Sequence, residues 1–129
     1  MKNTIKAYLI NPDENTHGPI EIVDDLDSLY ATLNCTCIDI PVRSIAGIPF
    51  DVVCDDEGLL KAEPFISAIR NEITCEPMLV GRLLLCHSDA DGNLASLSEE
   101  DISLISRHVR QIRSRLHLSP YPCLVGLDY

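Results

Sequence analysis

The chain has 129 residues and a mass of 14.3 kDa, with 46% hydrophobic and 23% charged residues, which fits a single domain over residues 1–129. A domain of this size buries enough surface to fold without disulfide or metal staples, and its composition excludes collagen, low-complexity disorder and any apolar run long enough to span a bilayer. Twenty acidic residues stand against ten basic ones, a formal net charge of −10, so nucleic acid and anionic membranes are unfavoured partners: both bind by releasing counterions onto clustered Lys and Arg.

The imbalance is uneven. Residues 1–101 carry 19 acids and 6 bases, whereas residues 102–129 carry one acid and four arginines. The amino-terminal stretch MKNTIKAYLINPD lacks the long apolar segment and small-residue cleavage site of a secretory signal, which predicts a cytoplasmic protein. In that compartment the six cysteines are expected as free thiols.

In chain order, Ile5, Ala7 and Leu9 alternate along a first strand, Thr4 to Ile10, which Asn11-Pro12-Asp13 breaks. Ile20 to Val23, after Gly18-Pro19, is expected to pair with it as a hairpin. Asp25 is placed to cap a short helix in which Leu26, Leu29, Tyr30 and Leu33 recur at helical spacing. Ile38, Ile40 and Val42 read as an edge strand because Pro41 has no amide hydrogen, and Ala46-Gly47 turns the chain into a strand carrying Ile48, Phe50 and Val52.

Residues 55–77 read as mostly loop with one helical turn, and Met78 to Cys86 as one strand apolar on both faces. Ser98 and Asp101 form a capping box, Leu97 and Ile102 a hydrophobic staple. The stripe Ile102, Ile105, Val109, Ile112 and Leu116 predicts a long final helix, and Pro122 to Leu127 a last short strand. The expected fold is α+β, a mostly antiparallel or mixed sheet of about five to six strands packed by the short helix and the longer C-terminal one.

Several groups invite a chemical reading. Asp89 and Asp91 lie in an acidic loop, but the helix-loop-helix calcium pattern needs glycine at the sixth place, where Leu94 stands, so Asp91-Gly92 reads as a turn. Asp55, Asp56 and Glu57 crowd a second turn, where like charges must be solvated or meet a cationic partner. Asp24, Asp25 and Asp27 fit a helix start. Cys35 and Cys37 form one C-x-C with no second pair, short of a zinc site, and no metal or cofactor is expected. No signature surrounds a cysteine that could join His17, His87, His108 or His117 in nucleophilic catalysis, and phosphate-binding loops, dinucleotide fingerprints and nucleophile elbows are absent. The arginines scatter around the solvent side of the expected last helix, unlike a groove-reading surface.

Four strings together, KAYLINP at 6–12, FDVVCDDEGLLK at 50–61, EPMLVG at 76–81 and DGNLASLSEEDI at 91–102, resemble a family of bacteriophages and mobile elements of Gram-positive gut bacteria catalogued as domain of unknown function 3846. The resemblance implies a small cytoplasmic protein made during phage infection or by a mobile element, in the host cytoplasm if phage-encoded. Its acidity favours action by binding, with Asp55, Asp56, Glu57, Asp89 and Asp91 meeting a basic host protein of defence and charge steering the encounter. Two alternatives stand beside it: a homo-oligomer enclosing a pocket that sequesters a small nucleotide signal, and a small enzyme whose site assembles only in three dimensions.

Overall fold

The computed structural model describes residues 4–58, 64–71, 73–113, 117 and 119–129. The first hairpin forms as its alternation requires: β1 (Thr4–Asn11) turns through a 3-10 turn at Pro12–Glu14 and left-handed Asn15 into β2 (Thr16–Val23). β2 starts earlier than the Gly18-Pro19 pair suggests, because an edge strand can hold a proline whose missing N–H faces solvent. Helix α1 (Leu26–Leu33) begins where expected, with the Asp25 carboxylate accepting the Ser28 N–H at 2.7 Å and left-handed Asn34 ending it. Next come β3 (Ile38–Asp39) and β4 (Val42–Ile45), split by Pro41 and both paired to β5 (Ile48–Asp55).

Three expectations need correction. The 55–77 segment, expected as loop with a helical turn, contains β6 (Ile66–Ile69), which pairs with β7 (Pro77–Val80); residues 59–63 and 72 of it lie outside the described residues. The single strand expected over Met78–Cys86 is two strands in different sheets, β7 and β8 (Leu83–Ser88), because Gly81 at φ +80° turns the chain between them. After β9 (Leu94–Ala95), the long final helix ends at Arg107. Helix α2 spans Glu99–Arg107, and β10 (Val109–Ile112) follows it at once, antiparallel to β11 (Tyr121–Val125). The apolar spacing fits both outcomes; a strand wins because buried β11 offers Val109–Ile112 a ladder partner, and the Val125 N–H already donates to the His108 carbonyl at 2.8 Å. Leu116 lies outside the described residues. The last strand, β12 (Leu127–Asp128), returns to β4.

The sheets are therefore larger than the five to six strands expected. One has eight strands, in the order β12-β4-β5-β8-β1-β2 with β3 and β9 attached to β5 and β8; the other has four, in the order β10-β11-β6-β7. The pairing is antiparallel except between β11 and β6. Tyr8, Ile10, Phe50, Val52, Leu83 and Leu85 point from the large sheet onto Ala68 and Leu124 of the small one and onto Leu104 and Ile105 of α2. The opposite face, with Ile5, Ala7, Val53, Leu84 and Cys86, is covered by Leu29 and Leu33 of α1. Being buried on both faces is why β8 reads as a continuous apolar run.

Candidate functional site

The antiparallel register of β5 and β8 decides where the acidic loops go. Cys54 pairs with Leu83 and Asp51 with Cys86, so Asp55, Asp56 and Glu57 leave one end of the sheet while Asp89 and Asp91 leave the other, about 20 Å away. The structure brings each group together internally and does not bring the two groups together.

At the Asp55 end the charges are tied into the protein. The Asp55 carboxylate accepts the Glu57 N–H at 2.9 Å, closing the turn. Arg82, which interrupts the apolar run, reaches back to the first hairpin: Nε and Nη2 donate to Asp13 at 3.0 and 2.9 Å, Nη2 also to Glu14 at 3.0 Å, and Nη1 to the Thr32 carbonyl at 3.1 Å. The hydrogen bond to Asp13 raises the guanidinium's pKa further, so its charge is permanent. A pocket of about 210 Å³ opens beside it, lined by Asp13, Asp55, Phe65, Val80 and Arg82 among others. Because each Arg82 nitrogen already donates to protein and two carboxylates share the lining, a nucleotide phosphate meets repulsion in this pocket.

The Asp89 end is built differently. Asp89 accepts the N–H groups of Asp91 and Asn93 at 2.9 and 3.0 Å, an Asx turn that holds the loop and points Asp91 outward. Asp51 pairs with Cys86, and Asp24 follows Val23, which pairs with Thr4, so both lie at this end of the sheet. Glu99 and Glu100 open α2 here, and Lys6 answers them with a 3.1 Å bridge to Glu99. Carboxylates from the β2–α1 junction, β5, the 89–91 loop and the first turn of α2 thus share one end of the large sheet, Asp24 and Asp51 on the α1 side and Glu99 and Glu100 on the α2 side.

His87, which has no assignable role in the sequence, acquires partners only in the fold. Its ring stacks on Phe50, with centroids 5.0 Å apart, and Nε2 lies 2.9 Å from Asp101 Oδ2, the same oxygen that accepts the Ser98 N–H. Burial acts to raise the Asp101 carboxyl, but the Ser98 N–H, the Ser98 hydroxyl and His87 outweigh it and hold it below its ordinary value. A depressed carboxyl pKa stabilises the fold above the unfolded value of 3.8 and loses that contribution as pH falls through the folded one. Asp101→Asn is expected to cost about 1 kcal/mol at pH 7, with the gap to wild type closing in acid; thermal melts at pH 7 and pH 3 check both halves.

The other histidines are also engaged: His17 Nδ1 sits 2.6 Å from the buried Tyr8 hydroxyl, His108 bonds the Leu104 carbonyl, and His117 stacks on Phe65. Four of the six thiols are poorly suited to nucleophilic work. Burial pushes Cys54, Cys86 and Cys123 up to about 12, and the Glu57 carboxylate raises exposed Cys37. Among the described residues, no three His, Cys, Asp or Glu side chains are placed to hold a metal ion, and no helix is long and apolar enough to cross a membrane.

No curated protein and no solved structure matches the chain. The family model for the domain of unknown function DUF3846 matches residues 5–110, from β1 into β10, and stops before β11 and β12. The match takes in both acidic loops, the Arg82 cluster and the His87–Asp101 pair, and on it the chain belongs to the DUF3846 family.

Proposed function

We propose that the chain acts by binding a basic protein through its acidic surface, and that the partner is a defence protein of the host when the chain is made by a bacteriophage or mobile element. The observation that carries the reading is the gathering at the Asp89 end, around both faces of the large sheet, of carboxylates from four segments, with Lys6 bridged to Glu99 on the α2 side. Such a field steers a cationic partner into encounter and rejects anionic competitors. At the other end Arg82 offsets Asp13 and Glu14, so the Asp89 end is the stronger attractor.

The test is affinity capture from host lysate followed by measurement of the captured protein's Kd at low and high salt. Exposed charges at a contact rim are screened within about one Debye length, so the affinity is expected to weaken on the order of tenfold as salt rises from about 0.05 to about 0.5 M. Affinity indifferent to salt contradicts the reading.

A further inference from the structure

Once Val109–Ile112 is a strand, Arg107 at the end of α2 and Arg113 just after β10 flank one open edge. No described strand pairs with the far side of β10, and Arg107, Gln111 and Arg113 are all exposed along it. The Val125 N–H bond to the His108 carbonyl, together with the Val109–Leu124 pairing, makes residue 109 a non-hydrogen-bonded position, so the N–H and C=O of Gln111 point away from β11 to the open side. Arg110 donates to the carbonyls of Arg107 and Val109 at the end of α2, and Arg107 Nε donates to the Ser103 carbonyl at 3.3 Å.

The large sheet has an open edge on the same side of the molecule. β11 packs over β1 and β2 while β7 packs over β5, which sets β10 beside β2. β2 carries the opposite charge. Glu21 is exposed on it, and a groove of about 190 Å³ runs between Pro19, Ile20 and Glu21 on the strand and Glu99 and Ile102 on α2. Lys6 in the groove's lining is bridged to Glu99, so among the described residues Glu21 is the carboxylate there without a cation. Pro19 blocks strand addition at its own position, and the four residues beyond it, Ile20–Val23, match the four of β10 in length.

We propose that the occupant of these edges is a second copy of this chain, with β10 of each copy added to β2 of the other. A two-fold axis along the strands exchanges the layers of the two-sheet sandwich, so both basic-to-acidic pairings form at once and the contact closes as a dimer. Arg107 and Arg113 of one copy then face Glu21 and Glu99 of the other. The pairing does not use the 89–91 loop and shares only Glu99 with the host-protein reading.

Sedimentation equilibrium of the full chain tests it, from about 10 μM to about 1 mM at low and high salt, because two short strand pairings imply a Kd on the order of 10–100 μM. The mass is expected to rise from 14.3 kDa toward twice that value at low salt and to fall back as salt rises. Arg107→Glu with Arg113→Glu places like charges opposite each other twice per dimer and is expected to weaken association on the order of tenfold; adding Glu21→Arg should restore it. Gln111→Pro removes an outward N–H without touching charge, and should also give the monomer with an unchanged far-UV spectrum. A monomer at every concentration, a dimer indifferent to Gln111→Pro, or a charge reversal that Glu21→Arg fails to rescue overturns the proposal.

Discussion

Leu85→Ala is expected to cost about 3–4 kcal/mol, a large fraction of what holds a domain of this size folded. Leu85 is fully buried at the centre of β8, opposite Tyr8 on one neighbouring strand and Val52 on the other, and its side chain faces the small sheet and α2. Strands on both sides fix the backbone there, so the cavity cannot collapse and the loss approaches the upper part of the range for such truncations. Leu26→Ala, at a position 57% exposed on α1, is the contrast and should shift stability by less than about 0.5 kcal/mol. Urea titrations check the pair: the Leu85 variant lowers the midpoint at unchanged slope.

Arg82→Met comes next, at about 2 kcal/mol. The guanidinium side chain is only 16% exposed, while Asp13 and Glu14 are 40% and 62% exposed, so the full cost of breaking a buried ion pair is reduced by the water that reaches the carboxylates. What remains is the Thr32 carbonyl at the end of α1, left without its donor, and two adjacent carboxylates that lose their shared cation. Arg82→Lys should recover less than half of the loss, since one ammonium cannot serve Asp13 with two parallel donors and also reach Thr32. The same titrations measure it. A variant as stable as wild type would mean that this cluster contributes no net stability.

Elements whose determinants are local are legible in the sequence. The Asp25 cap and the Ser98–Asp101 box each act within one helical turn and form in the structure, and of the Leu26-Leu29-Tyr30-Leu33 stripe Leu29 and Leu33 are buried while Leu26 is exposed. Elements that depend on distant pairing are not. Ile102, Ile105, Val109 and Ile112 are equally spaced for a helix and for a helix followed by a strand, and only β11 settles the matter. Met78–Cys86 is apolar throughout, yet Gly81 sends its halves into different sheets.

The same holds for the candidate sites. Asp55–Glu57 and Asp89–Asp91 are readable as turns, but their placement at opposite ends follows from the β5–β8 register. Arg82 stands out in the sequence only as an interruption, because Asp13 and Thr32 lie 69 and 50 residues away. His87 carries no signal at all, being 14 residues from Asp101 and on a different element.

The two acidic loops leave opposite ends of the β5–β8 pair, so each can be neutralised without touching the other. The decisive measurement compares the captured partner's affinity for Asp89→Asn with Asp91→Asn against its affinity for Asp55→Asn, Asp56→Asn and Glu57→Gln combined. The first variant is expected to bind on the order of tenfold more weakly and the second to match wild type within about twofold. Equal affinity for wild type and both variants contradicts recognition through the Asp89 end, and would leave the surplus of carboxylates as a means of solubility alone.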